Sequence, residues 1–532
     1  MATIPQGIGN LRSIKEREKK AFEDMAKWQD ILDDAYEYFL PQRNLFNRED
    51  KGQKKMDKIF DSTSLESIKQ GASKLQENIA PIWARWAMFE PSSEIQRLMK
   101  EQGEDSETEI REALEEQAEI LFDVLNRSNF GTQFFEFALD LLIGTGTLMI
   151  DEDTSDEMPV IFSSIPQTGI AFEEGPHGTV ETHFRRFKVK ARNIERKWPG
   201  FEVSAELNTT IKDSPDSEIE LSQALIFNSK DKTYHAVVWL KSEDKPSWVE
   251  DFDESSPIVT ARYSKTAGEI RGRGPCLDVL PDVKSLNKAK EFALTKAAID
   301  LSGMWTATDD GVTNPYNIHP APGVVIPVGS NNTSNPSLAR LDTSNNLELA
   351  IFEITELQNS IKRALFSDIR EPSDSVISAT QFAIEARELA KRIGSAFGRL
   401  QTEALIPILK RVHFILKRRG IVKPITIGGR EVSIKFTSPL ARAQDAEDLL
   451  AVQQAVAFTL ETAGEDQAKM AFKLEDFGTW AAKKTGMPQE LVRTQAEKEK
   501  VIQAGAEAVR AEMQQDNQGQ QPQSPAQLEA VQ

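Results

Sequence analysis

The sequence predicts a mainly helical α+β protein, and three observations carry that expectation. Over most of the length, apolar residues recur at spacings of three and four, the period of a helix buried along one face. One stretch, 158–263, breaks this rhythm with short alternating runs bounded by Gly, Pro, Asp and Ser, the texture of strands. At 532 residues the chain is too long for one core and suggests about three or four domain-sized units.

Taken in order, Phe22, Met25, Trp28, Ile31, Leu32 and Ala35 predict one helix over 13–39, ended by Pro41. A polar, basic stretch from Asn44 to Lys58 follows. A second helix is expected over 62–79, opened by cap signals at Ser62 and Thr63 and closed near Pro81. The aromatic segment from Pro81 to Pro91 reads as a packed strand or turn. Residues 105–126 make an acidic helix, and 130–143 a strongly apolar one with Phe130, Phe134, Phe137, Leu141 and Leu142. Gly144-Thr-Gly146 then breaks into a strand, Leu148 to Ile150. Inside the β-textured region, Ala236 to Leu240 and Ile258 to Tyr263 are the clearest strands, with a helix over 190–198 inserted.

Downstream, a helix over 276–302 carries Val279, Val283, Leu286, Ala289, Ala293, Ala297 and Leu301 on one face. The insert 303–346 is rich in Pro, Asn, Gly and Ser, with a strand expected at Gly323 to Val328. A helix over 347–368 and a break from Ile369 to Ser375 precede the longest helix, about 379–419. Ala383, Ala386, Ala390, Ile393, Phe397, Leu400 and Ala404 give that helix a coiled-coil-like stripe, which Pro407 should kink. Ile425 to Ile427, the turn Gly428-Gly429 and Val432 to Phe436 suggest a hairpin within 421–438. Residues 441–511 are helical again, and the Gln/Pro-rich end from about 513 has too little apolar surface to order itself. No internal repeat of fixed period is visible.

Composition narrows the function. Lys and Arg number 64 against 83 Asp and Glu, a net charge of −19. A protein that grips DNA normally presents a positive surface, so this one should repel DNA over most of its area. Simple solubility and a surface past which DNA slides both fit, and composition does not separate them. No run of about 18 apolar residues predicts a membrane span, and the N-terminal segment lacks the apolar core of a secretory signal. A single cysteine, Cys276, excludes an intramolecular disulfide framework and fits a reducing cytoplasm.

The usual marks of catalysis are missing. No G-x-x-x-x-G-K-[ST] phosphate loop and no G-x-S-x-G elbow occurs. Gly144-Thr-Gly146 lacks the third glycine of a dinucleotide loop and reads as a structural turn. His177, His183, His235, His319 and His413 show no helical metal-site spacing, and one cysteine cannot build a thiolate zinc site. Carboxylate pairs are too plentiful in so acidic a chain for any one to be singled out. No enzyme, metal or cofactor is therefore expected.

Four groups of residues, in order, are more specific: Trp28 through Tyr38-Phe-Leu-Pro41 with Ile59-Phe-Asp-Ser-Thr63; Gly268-Glu-Ile-Arg-Gly-Arg-Gly-Pro275; Leu280-Pro-Asp-Val-Lys-Ser-Leu-Asn287; and Ser378-Ala-Thr380 with Phe397-Gly-Arg-Leu-Gln401, Glu403, Leu405 and Pro407. Together they resemble the portal, or head-to-tail connector, proteins of short-tailed bacteriophages, over roughly 10–511.

The resemblance implies a portal fold: a wing over 1–274, stem helices over 275–302 and 347–368, and a clip over 303–346 between them. It implies a tunnel loop over 369–379, a long kinked helix and hairpin returning to the wing over 380–440, and a helical crown over 441–511. Residues 512–532 remain as a disordered tail. The short tunnel loop and the Gln-rich tail depart from the family pattern. The implied function is a ring, usually of twelve copies, at the capsid vertex, through which DNA is packaged and ejected. Implied partners are viral double-stranded DNA without sequence preference, the major capsid protein, terminase, a tail adaptor, and scaffold and internal core proteins. No membrane partner is implied. The location is the virion, with assembly in the host cytoplasm.

Lys284 and Lys288, one turn apart on a polar helix face, read either as solvated lysines or as basic rings in the channel. With Arg370, Glu371 and Ser373 they form the expected DNA tunnel set. Asn314, Tyr316, His319, Asn331 and Asn332 are the expected clip contacts for the adaptor. Another phage head scaffold or adaptor, and a metal-dependent nuclease, stay open as alternatives.

Overall fold

The computed structural model describes residues 3–43, 58–82, 85–90, 104–153, 158–302, 305–307, 334, 338–340, 347–368, 392–394, 396–423, 433–436, 439–473, 477–478 and 480–481. The elements in chain order begin with helices Leu11–Ala26 (α1), Gln29–Phe39 (α2) and Thr63–Ile79 (α3), strand Ala87–Glu90 (β1), and helices Glu104–Arg127 (α4) and Phe130–Ile143 (α5). Strands Thr145–Glu152 (β2), Val160–Ser164 (β3), Ile170–Glu174 (β4) and Val180–Lys190 (β5) follow, then helices Ile194–Lys197 (α6) and Ala205–Asp213 (α7). Next come strands Glu218–Asn228 (β6), Thr233–Leu240 (β7), Trp248–Asp251 (β8) and Ile258–Arg262 (β9), and helices Pro275–Asp278 (α8) and Leu280–Ser302 (α9). Strands Trp305–Ala307 (β10) and Leu338–Arg340 (β11) precede helices Leu347–Ala364 (α10) and Ile406–Arg418 (α11). Strand Ser433–Phe436 (β12) and helices Pro439–Ala463 (α12) and Glu465–Ala471 (α13) complete the set.

The chain divides into two units. The first comprises Met1–Trp83, Leu121–Ala379 and Lys391–Val422. Its centre is a five-stranded antiparallel sheet, β4-β5-β6-β7-β8, beside a three-stranded one, β3-β2-β9. Period-two alternation divides the large sheet's side chains between two cores. Ala224, Ile226, Val237 and Trp239 pack with Leu11, Ile14, Ala21 and Met25 of α1. Leu225 and Ala236 point the other way and pack with Met149, Ile165, Ile170 and Ile258 around the small sheet. A third cluster forms where Trp198, Phe201 and Leu207 meet Leu221, Val238 and Leu240. Apolar α5 lies between α3 and β2.

Several local expectations change. The helix expected over 13–39 is two helices, parted at Lys27–Trp28, and the Trp28 ring lies 4.9 Å from the Arg273 guanidinium. Ser62 makes no side-chain cap bond; Asp61 does the capping instead, its Oδ1 accepting from Thr63 N at 2.9 Å. The helix expected over 276–302 is interrupted at Val279, because Pro281 has no amide to return to the turn before it. The helix expected to run to 368 stops at Ala364, and Phe366 takes φ +60. The insert expected over 190–198 is a tight turn, Ala191–Asn193, followed by α6.

The long helix expected to kink at Pro407 widens just before that residue. Gln401–Leu405 is a π-turn, with Ile406 N donating to Gln401 O, directly before proline-started α11. Its expected start, 379–391, lies outside the described residues.

The second unit comprises Ala84–Ile120, Thr380–Ala390 and Lys423–Gln532. Here β12 pairs antiparallel with β1, Ala87 opposite Phe436 and Glu90 opposite Ser433. This long-range ladder is the described pairing of β12; its expected hairpin partner, 425–427, lies outside the described residues. Gln117 Nε2 donates to Lys423 O at 2.5 Å, and Arg85 meets Glu119 at 2.8 Å. Helices α12 and α13 fall in the stretch expected to be helical over 441–511, of which 482–511 lie outside the described residues, and Phe458 on α12 is 68% exposed.

Candidate functional site

The candidate site is the pair of helices α9 and α10 with the loop that clamps their base. The two helices pack together. They are linked through the antiparallel ribbon β10–β11, Trp305 opposite Arg340. Val283 and Leu286 on α9, and Ile354 and Ile361 on α10, are buried. Ser360 Oγ donates to Asp282 Oδ2 at 3.3 Å across the pair.

The loop 58–61 closes over this base. Buried Asn287 accepts from Phe60 N at 2.7 Å and donates to the Lys58 carbonyl, so one amide side chain satisfies both polar groups of a loop backbone. Gln358 Nε2 donates to Asp61 Oδ2 at 2.8 Å. Two of the residue groups noted in the sequence, Ile59 to Thr63 and Leu280 to Asn287, thus meet through specific hydrogen bonds.

The other groups converge as well. Backbone around Gly144 crosses backbone around Gly272 and Gly274. Gly274 N donates to Ile143 O at 3.0 Å, Tyr263 N to Gly144 O at 2.9 Å, and Gly272 N to Thr145 Oγ1 at 3.0 Å. A Cβ on Gly144 would lie 2.2 Å from Gly272 O, and one on Gly274 would lie 2.1 Å from Leu142 O. The glycines are there because two backbones touch, so Gly144-Thr-Gly146 is a structural crossing.

Buried charge surrounds this crossing. Arg262, 0% exposed, is held by Glu403 and Glu174 and donates to Gly178 O at 2.8 Å. Fully buried Asp140 accepts from Tyr36 Oη at 2.9 Å and pairs with Arg43. Burial pushes the Asp140 carboxyl up to about 6, outweighing the opposing pull of Arg43. Buried Arg271 is drawn down to about 10 by desolvation; it donates to Gln167 Oε1 at 2.7 Å and Ile170 O at 2.8 Å. A cleft of about 600 Å³ opens beside Trp28, lined also by Phe172, Arg271 and Arg273. Charged groups lining it are engaged within the chain, Lys27 with Asp24 and Arg273 with Glu269. Among the described residues, no group of three or more His, Cys, Asp or Glu side chains could hold a metal ion. Among them, too, no helix is long and apolar enough to cross a membrane.

Of the tunnel residues expected from sequence, Lys284 and Lys288 lie on α9. Lys284 Nζ meets Asp34 Oδ2 at 2.5 Å, and Lys288 Nζ meets Glu291 Oε2 at 2.7 Å. Arg370, Glu371 and Ser373, and the clip residues Asn314, Tyr316, His319, Asn331 and Asn332, lie outside the described residues. So does the strand expected at Gly323 to Val328. Sequence reading missed Asp140 and Arg262. An arginine ending the apolar run Ile258-Val-Thr-Ala was the available signal for the second, because a buried arginine demands a carboxylate.

The family model for the bacteriophage head to tail connecting protein matches residues 11–492, and the chain belongs to that family. The family is structural, and a head-to-tail connector is a component of the virion. No curated protein matches the sequence. Among solved structures, the chain is similar to one in the virion of a native gene transfer agent particle, at 14% identity and TM-score 0.33, covering 76% of this chain and 90% of that one. It is similar also to one in the neck of an empty gene transfer agent particle, at 13% identity and TM-score 0.32, covering 75% of this chain and 88% of that one.

Proposed function

We propose that the chain is the portal subunit of a bacteriophage head, assembling as a ring at the capsid vertex and forming the channel for DNA packaging and ejection. The observation that carries this reading is the α9–α10 pair. Both helices leave large apolar side chains in solvent: Phe292 and Leu294 on one, Ile351 and Phe352 on the other, each more than half exposed. A ring is built by one face of a subunit meeting a different face of the next, and apolar side chains left exposed on both helices of the pair suit that role.

In this reading α9 and α10 are the stem, 303–346 the clip, 369–379 the tunnel loop and 441–511 the crown. Lys284, Lys288, Arg370, Glu371 and Ser373 line the channel. DNA passes without base readout, since each good bidentate base contact is worth roughly 1–3 kcal/mol and would stall transit. Asn314, Tyr316, His319, Asn331 and Asn332 face terminase first and a tail adaptor later, while the major capsid protein and any scaffold or internal core proteins hold the ring in the shell. Twelve copies are the family's usual number.

Sedimentation of the purified protein, with symmetry counted from negative-stain top views, tests this. Rings many times the 59.5 kDa subunit are expected. A stable monomer at micromolar concentration, with or without scaffold, would overturn the proposal. Deleting 328–336 should leave rings intact and block adaptor docking; failure to form rings would instead make this insert an element between subunits.

A further inference from the structure

From Ala404 to Arg430 the sequence contains no Asp or Glu, in a chain with 83 of them. The same stretch holds Lys410, Arg411, Lys417, Arg418, Arg419, Lys423 and Arg430. Helix α11 displays much of this charge in an ordered way. Ile408, Leu409, Val412, Ile415 and Leu416 are buried, and Arg411 is buried with them, donating to Ser255 Oγ at 3.1 Å. Positions 410, 414, 417 and 418 follow the i, i+4, i+7, i+8 pattern of one helix face. On that face Lys410, Lys417 and Arg418 are exposed and Phe414 is half-buried. The Arg418 guanidinium lies 5.9 Å from the Phe414 ring.

Positive charge is crowded at the end of this helix. Arg418 and Arg419 both meet the same carboxylate, Glu152. Arg418 is drawn below the ordinary arginine value, first by desolvation and then by the neighbouring Arg419 charge. Asp151 and Glu250 act on Arg411, on the inner side of the helix. Stabilising the helix dipole accounts for cations at the C-terminal end. It does not account for Lys410, nor for a first turn without any acid, where the same dipole favours carboxylates.

We propose that the Lys410–Phe414–Lys417–Arg418 face of α11 is a contact surface for the sugar–phosphate backbone of duplex DNA, bound without sequence preference. This rests on the connector reading, which supplies both DNA as the polyanion and the ring in which the face is repeated. An anionic membrane is the poorer fit, because a membrane-lying helix must free its apolar side and that of α11 is buried in the core. Two or three cations per copy bind weakly alone. Repeated around a ring they act together, and the acidic remainder of the surface keeps DNA from adhering elsewhere.

The test uses the purified full-length protein in its assembled form and a fluorescent mixed-sequence duplex, titrated over a series of salt concentrations. Lys410→Glu/Lys417→Glu should weaken binding about tenfold or more at low salt. It should also flatten the dependence of log affinity on log salt by roughly 0.9 for each phosphate no longer neutralised. Lys20→Glu/Lys212→Glu, the same charge change at exposed sites elsewhere, should shift affinity less than about threefold. Lys410→Gln/Lys417→Gln, a milder change, should give an intermediate weakening with an unaltered melting temperature. Equal affinity of the two Glu double variants would overturn the proposal, as would binding of acidic peptide or anionic vesicles in place of duplex. Rings formed without any dependence of DNA binding on Lys410 and Lys417 would sink this inference and leave the connector reading standing. Absence of rings would strike at the connector reading itself.

Discussion

Glu403 accepts hydrogen bonds from both the backbone and the side chain of Arg262. One oxygen takes the amide at 3.0 Å and Nε at 3.1 Å; the other takes Nη2 at 2.6 Å. The carboxylate sits in the π-turn and the arginine ends β9, so a single pair fixes the wide part of the long helix to the edge of the small sheet. Glu174, also bonded to Lys265, completes the cluster.

Removing Glu403 should leave a buried guanidinium with half its compensation. Glu403→Ala is expected to cost about 3 kcal/mol, the lower end for a broken buried pair because Glu174 remains. Glu403→Gln, which keeps an acceptor, should cost less. Thermal unfolding measures both, and an unchanged melting temperature for Glu403→Ala would show that the pair contributes nothing.

Asp140 predicts a pH dependence. Its folded value, about 6, lies above the unfolded value of about 3.9, so the folded state holds its proton more tightly. The resulting stability is complete below about pH 4 and is lost as pH rises through about 6. Asp140→Asn cannot titrate. Relative to the parent, the variant should therefore gain on the order of 2 kcal/mol between pH 4 and pH 7. Parallel stability profiles for the two proteins over that range would contradict the assignment.

Gly274 tests the backbone crossing. An alanine there places its Cβ against the Leu142 carbonyl and the Ile143 backbone, neither of which is a flexible side chain. Gly274→Ala should destabilise by about 3 kcal/mol. Gly200→Ala offers a comparison at open space, where the cost comes from its φ of +80 alone. The melting temperatures should fall further for Gly274→Ala than for Gly200→Ala; the reverse order would remove the crossing from the account.

Phe352 tests the assembly face. Its side chain is 60% exposed in the subunit, so Phe352→Glu should alter subunit stability by no more than about 0.5 kcal/mol. Ring formation should be abolished, as judged by sedimentation. Rings persisting in Phe352→Glu/Phe292→Glu would show that subunits meet through other surfaces.

Local chemistry was legible in the sequence wherever it sufficed to set the structure. The spacing of Phe130, Phe134 and Phe137 and the glycine at 144 bounded α5, because apolar period and punctuation act within a few residues. The break at Trp28 was hidden, since helical spacing continues straight through it. The ladder between β1 and β12 joins residues 87–90 to 433–436, and no local pattern encodes so distant a partner. The site shows the same division. Lys284 could be placed on a polar helix face, but its carboxylate, Asp34, lies 250 residues away in sequence. The cations of α11 were visible as letters; that two of them meet the same glutamate was not.

The wide turn before Pro407 also governs where the chain tolerates a change in length. Upstream of it the buried positions are Ile393, Ala396, Phe397, Leu400 and Ala404; downstream they are Leu405, Ile408, Leu409, Val412, Ile415 and Leu416. On an uninterrupted α-helix the second set would point roughly 100° away from the first, the rotation of one residue. A π-turn carries one residue more than the α-turn it replaces, and that surplus brings both sets onto the same side. Deleting the exposed Thr402 should therefore let the helix close into regular turns with its buried face still continuous, whereas deleting a residue from the middle of α5 would turn half of its face toward solvent.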